Sequence, residues 1–590
     1  MSREPGTGGT SPWGHMSGAA GVVASLWRAG VRRVFGIPAI ETTHLFDAFA
    51  SSPIEIVLTT HEHAAAIMAD AHARATGSLA ACLLAPGPGL TNALTGIAGA
   101  RCDSSPLVAL VAGRGGGLGP EGQVDSLDVA RPVCKRAFRL EEPEEVPPAM
   151  ARACRLAVEG EPGPVLVEVP VDVQRRRARM EGTGFRPGPR VLSAEAAEQL
   201  DLAARKIDAA RQVGIYAGQG CFGAEEELRN LAELLNAPVA SSISGLGCLP
   251  FIHPLSVGFG PGRVGSPLAE SAFEACDLIL AMGCRFSEAA TGAYTLRLPG
   301  ELIHIDVQPG TAGRFMPASL AITAPARQAM RLLIDRTAEK KDSSGVREII
   351  RQGKRELRRR QLARPAWRDA VDPVKFFVEL RELLSSEDVV VLDSGHHAVF
   401  GVASYRVQAP RTLIAPVDSR TVGFGVPAAV AVKLAMPETR VVGCVGDSGF
   451  LRTGLELLSA RRCNVAPVIV VFADGKMDFT RAFQERVIGR ETCVDLVPVD
   501  YESLARSLGV EYLCIRCDAA LVDGLKAALT AEAPVVVELR VAYREATAYL
   551  RATQQAEIKN LPRASVLRLG SRLVLRKLGL WPRKRGRRPS

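Results

Sequence analysis

The sequence lacks any run of about 18 uncharged apolar residues, the length that a membrane-spanning helix needs. Its first residues, MSREPGTGGTSPWGHM, contain no apolar stretch of the kind found in secretory signals. Aromatic residues are scarce, at 5% of the chain, and do not alternate with basic ones as in nucleic-acid-binding segments. We therefore expect a cytoplasmic protein that neither spans a membrane nor binds nucleic acid.

Two further absences concern cysteine pairing and acidic residues. The 13 cysteines show no repeating spacing, which argues against a disulfide framework. Residues 563–590 contain ten Lys and Arg and no Asp or Glu, whereas the other 562 residues contain 62 basic and 63 acidic ones. The segment 546–590 is therefore predicted to be a basic tail, which either contacts an anionic surface or packs on the protein itself.

What the chain does contain is a repeated alternation of short β-branched runs with helix-length amphipathic segments. This pattern is typical of parallel sheets covered by helices. It occurs in three blocks, 17–185, 195–335 and 370–545, and a charged, helix-like stretch precedes the third block. The sequence thus predicts an α/β protein with three doubly wound parallel-sheet domains followed by the basic tail.

Two aspartates of the third block each follow an apolar strand. Asp447 and Asp474 are separated by a helix-length segment, so their strands are predicted to be neighbours that end at one edge of the sheet. Two carboxylates at such an edge suit Mg²⁺, and glycines beside Asp447 let a diphosphate approach backbone N–H groups. The alternative is a pair of turn aspartates that cap helices.

The stretch resembles the metal and diphosphate motif of thiamine diphosphate enzymes, a Gly-Asp-Gly followed by paired asparagines. Here it reads Gly446-Asp447-Ser448-Gly449, with Asp474 after Ala473. The resemblance implies that Asp447, Asp474 and the backbone carbonyl of Lys476 bind Mg²⁺. It also implies that Gly446, Ser448 and Gly449 contact the diphosphate. Ala473 departs from the family, which has asparagine there.

The first block carries a second, independent match in VLTTHEHAAAIMADAHARATG. The family has His-Glu at this place, so the resemblance implies that Glu62 hydrogen-bonds the pyrimidine ring of the cofactor and promotes loss of its C2 proton. Gly87 belongs to a Gly-Pro-Gly loop that is also similar to the family. Residues 17–185 are thus identified as a pyrimidine-binding domain and 370–545 as the domain that binds Mg²⁺ and the diphosphate.

Within the family, the chain is most similar to the acetolactate synthase branch. DSGHHAVF resembles its Gly-Gln-His loop, which implies that Gly395, His396 and His397 lie at the diphosphate, and Val422 stands where a bulky apolar residue supports the thiazolium ring. Loops of 195–335 resemble those that hold FAD. That likeness implies flavin contacts from Gly218, Gly220, Arg285 and Asp306, although some relatives keep this domain without a flavin.

The substrate pocket is the part of the site where the chain departs most from acetolactate synthases. In GKMDFTRAFQERV, Asp478, Phe479 and Thr480 stand at the glycine, methionine and valine of the family segment. The resemblance implies that Phe479 and Thr480 line the substrate pocket. Gln123 stands near the place of a pocket glutamine.

The resemblance implies an enzyme that decarboxylates a 2-oxo acid and transfers the acyl unit to a second carbonyl compound. The alternatives are a 2-oxo acid decarboxylase or a lyase of 2-hydroxyacyl-CoA or oxalyl-CoA, and a non-catalytic homologue. In the family, the glutamate and the metal meet across a subunit interface. We therefore expect a homodimer or homotetramer in which Glu62 of one chain faces Asp447 of another.

Overall fold

A computed structural model provides the structure of the chain, and it describes most of the sequence. The described residues are 14–113, 124–182, 185, 188, 191–262, 265–292, 294, 296–342 and 345–560. Gln123 and the tail from residue 561 onward lie outside them. Within the described part, no helix combines the length and the apolar composition that crossing a bilayer requires.

The N-terminal unit is a six-stranded parallel sheet in the order β3-β2-β4-β5-β7-β6, beside a small antiparallel pair formed by β1 and β8. Its strands are β1 His15–Ser17, β2 Arg33–Gly36, β3 Glu55–Leu58, β4 Ala80–Leu84, β5 Leu107–Gly113, β6 Arg136–Arg139, β7 Pro164–Pro170 and β8 Arg177–Arg179. Its helices are α1 Gly18–Arg28, α2 Thr43–Ala50, α3 Glu62–Thr76, α4 Pro88–Cys102, α5 Ser126–Ala130, α6 Val146–Val158 and α7 Val171–Arg175.

The central unit is a second six-stranded parallel sheet, in the order β11-β10-β9-β12-β13-β14. Its strands are β9 Val213–Ala217, β10 Val239–Ser241, β11 Ser256–Phe259, β12 Leu278–Met282, β13 Glu301–Asp306 and β14 Leu320–Thr323. Its helices are α8 Ala194–Ala209, α9 Glu225–Leu234, α10 Pro267–Phe273, α11 Glu288–Thr291 and α12 Ala326–Arg336. Helix α13, Val346–Leu362, follows and occupies the charged stretch that the sequence predicted to be helical.

The C-terminal unit is a third six-stranded parallel sheet, in the order β16-β15-β17-β18-β20-β19. Its strands are β15 Val389–Leu392, β16 Leu413–Ile414, β17 Val441–Gly446, β18 Val468–Ala473, β19 Glu511–Ile515 and β20 Val535–Arg540. Its helices are α14 Pro373–Leu383, α15 His396–Ser404, α16 Gly425–Ala435, α17 Asp447–Thr453, α18 Leu457–Arg462, α19 Asp478–Val487, α20 Tyr501–Leu508, α21 Leu521–Leu529 and α22 Ala548–Asn560.

These sheets confirm the predicted fold class. Strand β5 is buried at every position, as a parallel strand covered by helices on both faces must be. The N-terminal and C-terminal units share one hydrophobic core, in which the alanine-rich helices α3 and α16 pack together. Small side chains let their backbones approach closely. At the rim of this contact, the backbone N–H of Thr60 donates to the carboxylate of Glu456 over 3.1 Å.

The connection between β17 and β18 makes these strands parallel neighbours, as the positions of the two aspartates predicted. The crossover differs in one respect from the single helix that its length suggested. It consists of α17 and α18, separated by a 3₁₀ turn over Gly454–Glu456. The turn places the carboxylate of Glu456 against Thr60 and Ser459. The interruption between α17 and α18 therefore contributes a contact between the N-terminal and C-terminal units.

Candidate functional site

A pocket of about 550 Å³, called here the main pocket, lies beyond the carboxyl ends of β15, β17 and β18. The structure brings many of the predicted site residues together in its lining. These are Gly395, His396, His397, Val422, Gly446, Asp447, Ser448, Gly449, Asp474, Lys476, Phe479 and Thr480. A concave site at this edge of a doubly wound sheet is the usual position of a ligand.

The two aspartates, Asp447 buried and Asp474 half-buried, form a carboxylate pair. Asp447 begins α17, and its Oδ2 accepts hydrogen bonds of 2.9 Å from the backbone N–H groups of Asp474 and Gly475. The hydroxyl of Tyr501 donates to Oδ1 of Asp447. Burial raises the pKa of Asp474, and the nearby carboxylate of Asp447 raises it further. Among the described residues no basic side chain pairs with either carboxylate, so a bound cation would supply the missing positive charge.

The donor set at this position fits Mg²⁺, which prefers hard oxygen ligands. Lys476 follows Gly475, whose φ of 68° turns the chain, and the N–H of Lys476 donates to Oδ1 of Asp474 over 3.2 Å. Nowhere in the described part of the chain do three or more His, Cys, Asp or Glu side chains form a metal-binding group. A metal at Asp447 and Asp474 would therefore draw further oxygen ligands from the backbone, the diphosphate or water.

A third aspartate, Asp393, holds the loop that carries Val422. Asp393 follows β15 directly, and its carboxylate accepts hydrogen bonds from the N–H groups of Gly423 at 3.0 Å and Phe424 at 3.2 Å. A Cβ atom at Gly449 would lie 2.2 Å from Oδ2 of Asp393, so only glycine fits there. Burial raises the pKa of Asp393 to about 6, while backbone hydrogen bonds oppose that rise.

The sequence interpretation missed Asp393 as a site residue. The signal was nevertheless present, because VVVLDSG places an aspartate after an apolar strand just as RVVGCVGD and APVIVVFAD do.

His397 is buried beside the Gly-Asp-Ser turn. Its ring stacks on Phe472 with a centroid distance of 5.2 Å, and a Cβ atom at Gly395 would lie 2.6 Å from its Cε1. Burial lowers the pKa of His397 to about 3, so the imidazole is neutral. Among the described residues, its Nε2 has no hydrogen-bond partner. An unpartnered nitrogen next to Gly446 fits a ligand oxygen, as the implied diphosphate would supply.

His396 points to a different set of neighbours. Its Nδ1 lies 2.7 Å from Oδ2 of Asp478, and its ring stacks on Tyr543 with a centroid distance of 4.6 Å. Burial alone would raise the pKa of Asp478, but hydrogen bonds from His396 and Arg481 lower it below its usual value. Nε2 of His396 is buried, and no group in the described part of the chain hydrogen-bonds to it.

The wall opposite the carboxylates is formed by α19 and by the segment that leads into α22. Phe479 lies between the rings of His396 and Tyr549, at centroid distances of 5.8 and 6.4 Å, and Thr480 is exposed at the pocket edge. The amide nitrogen of Gln554 donates to the carbonyl of Ala482 over 2.8 Å, which ties α22 to α19. No motif in the sequence had marked Tyr543 or Tyr549 as pocket residues.

Glu62 and Gly87 lie together at the carboxyl edge of the N-terminal sheet, away from the main pocket. Glu62 begins α3, where the helix dipole favours a negative charge, and its Oε2 accepts a hydrogen bond of 3.1 Å from Asn92. Gly87 has a φ of 63° and open space beside it. Within the described residues, the lining of the main pocket includes nothing from the N-terminal unit.

A second cavity of about 350 Å³, called here the central cavity, lies beyond the carboxyl ends of the central sheet and is lined in part by Gly220, Arg285 and Asp306. Nη1 of Arg285 lies 2.9 Å from Glu161 and Nη2 lies 2.6 Å from Asp418, so its guanidinium joins all three units. Burial raises the pKa of Asp306 to about 6.

Gly218, the fourth predicted flavin residue, lies where two backbone segments approach each other closely. A Cβ atom there would lie 2.1 Å from the carbonyl oxygen of Gly283, and Gly218 is absent from the described lining of the central cavity. Its glycine identity is therefore explained without a ligand.

Comparison with known protein families gives three matches along the chain. They are described as thiamine pyrophosphate enzyme, N-terminal TPP binding domain, for residues 16–128, central domain for 200–333, and C-terminal TPP binding domain for 393–539. The chain is 32% identical to the probable acetolactate synthase large subunit of Methanocaldococcus jannaschii, over 90% of this chain and 93% of the relative. It is 33% identical to the acetolactate synthase isozyme 3 large subunit of Escherichia coli, over 77% and 82% respectively.

Proposed function

The chain belongs to the thiamine diphosphate (thiamine pyrophosphate) enzyme family, in its acetolactate synthase-like branch, and we propose that it decarboxylates a 2-oxo acid and joins the acyl unit to a second carbonyl compound. The observation that carries this proposal is the main pocket, which is lined by the carboxylates of Asp447 and Asp474 and by two buried histidines whose Nε2 atoms have no partner among the described residues. These are complementary to a metal and to the oxygens of a diphosphate.

When bound, thiamine diphosphate would supply the nucleophilic carbon and the electron sink that decarboxylation of a 2-oxo acid needs. The residues of this chain bind and orient it. Gly395, His397 and the turn from Gly446 to Gly449 would contact the diphosphate. Val422, on the loop held by Asp393, would support the thiazolium ring, and Glu62 would hydrogen-bond the pyrimidine ring.

Mg²⁺ is the second cofactor in this proposal, with Asp447, Asp474 and the carbonyl of Lys476 as its protein ligands. Its support is the placement of Asp474 beside Asp447 in the main pocket, since two neighbouring carboxylates with no basic partner among the described residues are unfavourable unless a cation shares the site. Mg²⁺ commonly keeps part of its shell for phosphate oxygens, which links metal binding to diphosphate binding.

We also propose that the active form is a homodimer or a homotetramer. In a single chain, Glu62 is hydrogen-bonded to Asn92 and is not part of the described lining of the main pocket. A second chain would bring its own Glu62 and Gly87 to that pocket. Each dimer would then hold two sites, and each site would draw on both chains.

FAD is proposed as a third cofactor, with a structural role in the central cavity. Arg285 and Asp306 line a volume within the usual range of ligand sites, about 300–1,000 Å³, and an acidic residue at a strand end suits a ribose hydroxyl. Absorbance of the purified protein tests this directly. Flavin bands that persist after gel filtration support the proposal, and colourless protein that gains no absorbance with added FAD opposes it.

We propose a cytoplasmic location. All 13 cysteines are free in the structure, which suits a reducing compartment. Residues 563–590, for which the sequence leaves open a contact with an anionic surface or packing on the protein, lie outside the described residues. If they pack on the protein, removing them should change turnover or cofactor retention. Salt-sensitive binding to anionic vesicles, lost on truncation with unchanged rates, would instead favour a surface contact.

Product analysis tests the proposed reaction. Purified protein with thiamine diphosphate and Mg²⁺ is incubated with a panel of 2-oxo acids, alone and in pairs, and the products are identified by mass spectrometry. A hydroxy-oxo product joined from two substrates supports the proposal. An aldehyde alone would favour a decarboxylase, and turnover of a CoA thioester alone would favour a lyase. Cofactor binding without any turnover would favour a non-catalytic homologue.

A further inference from the structure

Two departures from the family pattern are in contact with each other in the main pocket. His396 stands where the Gly-Gln-His loop of the acetolactate synthase branch has glutamine, and Asp478 stands where the substrate segment has glycine. In the structure, Nδ1 of His396 lies 2.7 Å from Oδ2 of Asp478. Glutamine and glycine side chains cannot form such a pair, so it is a property of this chain.

The imidazole of His396 is held at its edge and on its face. At the edge, Asp478 accepts from Nδ1, and the other oxygen of Asp478 accepts a hydrogen bond of 2.7 Å from Nε of Arg481. On the face, the ring stacks on Tyr543, with Phe400 at a centroid distance of 5.2 Å. A ring fixed in this way directs its remaining nitrogen, Nε2, in one direction.

The two neighbouring histidines serve different sides of the main pocket. His397 lies against Gly395 and Gly446, on the side that the diphosphate would occupy. His396 lies against Phe479, on the side predicted to hold the substrate. His396 lines the main pocket, and its Nε2 is buried without a hydrogen-bond partner among the described residues.

A carboxylate that accepts a hydrogen bond from Nδ1 fixes the orientation and the tautomer of an imidazole. Nε2 can then exchange a proton with a nearby oxygen atom. The proposed reaction needs such a proton. When the acyl unit joins the second carbonyl compound, the π electrons of that carbonyl move to its oxygen, which must gain a proton to become a hydroxyl.

We propose that His396 is the catalytic acid for this step and that Asp478 is its positioning residue. The inference rests on the proposed carboligation. As the new carbon–carbon bond forms, the Nε2–H bond of the imidazolium breaks and an O–H bond forms on the acceptor. The imidazole is left neutral, with Nδ1–H still donated to Asp478, and it regains its proton from water.

The test compares His396→Gln, Asp478→Asn and the double variant with wild type. His253→Gln is the matched control, since His253 pairs with Glu233 at 3.0 Å on the central unit, away from the main pocket. For each protein, the ratio of ligated product to carbon dioxide is measured, together with thiamine diphosphate affinity by calorimetry and the melting temperature. A group needed only for ligation should change the ratio without changing cofactor affinity.

His396→Gln should lower the ratio at least about 100-fold, the lower range for loss of a general acid. Asp478→Asn should lower it less, and the double variant should lose no more than His396→Gln because both act through one imidazole. Thiamine diphosphate affinity should remain that of wild type in all of them. His253→Gln should match wild type in every measurement.

Three results would overturn the assignment. If carbon dioxide release and ligation fall together, His396 has only a structural role. If thiamine diphosphate affinity falls at least about 10-fold, the size expected for a lost hydrogen bond to a charged group, His396 binds the diphosphate. If wild type releases carbon dioxide and aldehyde without any ligated product, the proposed carboligation is wrong, and the acid step proposed for His396 is wrong with it. The wild-type measurement alone reveals this outcome, so it is distinguishable from the first two, which need the variants.

Discussion

The main pocket and the central cavity occupy equivalent places on two six-stranded parallel sheets, yet their buried polar groups are partnered differently. In the central cavity, Arg285 is engaged by Glu161 and Asp418. His304, in the same unit, has both ring nitrogens in hydrogen bonds, with Cys284 at 2.8 Å and Gly313 at 3.1 Å. In the main pocket, and among the described residues, Nε2 of His396 and of His397 has no partner, and the carboxylates of Asp447 and Asp474 have no basic partner.

Burying a polar group without a partner costs free energy, so such groups persist mainly where a ligand completes them. The same sheet architecture therefore produces two kinds of cavity. In the central cavity, Arg285 is engaged within the chain and joins the three units. The main pocket is incomplete by itself, which is what a binding site requires.

The largest expected effect on thiamine diphosphate binding comes from a substitution in the carboxylate pair of Asp447 and Asp474. Asp447→Ala should abolish Mg²⁺-dependent binding of thiamine diphosphate, because the diphosphate would lose the metal that balances its charge. Asp306→Ala is the matched control, since Asp306 also follows a strand and is buried, but in the central cavity. Calorimetry should show wild-type affinity for the control. Tight metal-dependent binding by Asp447→Ala would mean that the metal lies elsewhere.

The next largest effect is expected on the rate of hydrogen exchange at C2 of the cofactor, and it comes from Glu62, which does not line the main pocket of a single chain. Glu62→Gln should leave thiamine diphosphate affinity near that of wild type but slow exchange of the cofactor C2 hydrogen at least about 100-fold. Glutamine keeps the shape of the side chain and can still bond to Asn92. NMR of deuterium exchange at C2 measures the rate. An unchanged rate would remove Glu62 from the site.

A smaller effect separates the two buried histidines of the comparison. His397→Ala should weaken thiamine diphosphate binding about 10-fold or more, since a hydrogen bond to a charged group contributes about 1.5–3 kcal/mol. His304→Ala should instead lower the melting temperature without altering that affinity, because it leaves the partners of His304 unsatisfied. The reverse pattern in calorimetry and thermal melting would contradict the distinction between the two cavities.

The smallest effect is expected from flavin. Because Arg285 already has partners within the chain, removal of any bound FAD should leave thiamine diphosphate affinity unchanged and lower the melting temperature only slightly. Loss of thiamine binding on flavin removal would show that the central cavity depends on its ligand as the main pocket does.

Local patterns in the sequence predicted the parallel sheets and the meeting of Asp447 with Asp474. Strand runs and helix lengths determine these features, so the residues carry the information locally. The α/β class was predicted from the alternation of apolar strand runs with helix-length segments. Parallel strands that helices cover on both faces are apolar throughout, as β5 is.

Features that depend on contacts between distant segments were not predictable in this way. Arg285 resembled a flavin residue in sequence, but its ion pairs come from Glu161 and Asp418, more than a hundred residues away in each direction. The pairing of His396 with Asp478 spans 82 positions, and Tyr543 reaches the main pocket from beyond the last strand. No local pattern marks such contacts, because packing between elements creates them.

The most direct test of the account mixes two inactive chains. Glu62→Gln and Asp447→Ala chains, carrying different tags, are co-expressed, and the mixed dimers are purified and assayed for C2 exchange of thiamine diphosphate. If each site combines Glu62 of one chain with Asp447 of the other, every mixed dimer contains one intact site and should exchange at a rate well above either parent. Mixed dimers as inactive as both parents would show that Glu62 and Asp447 do not serve one site across two chains.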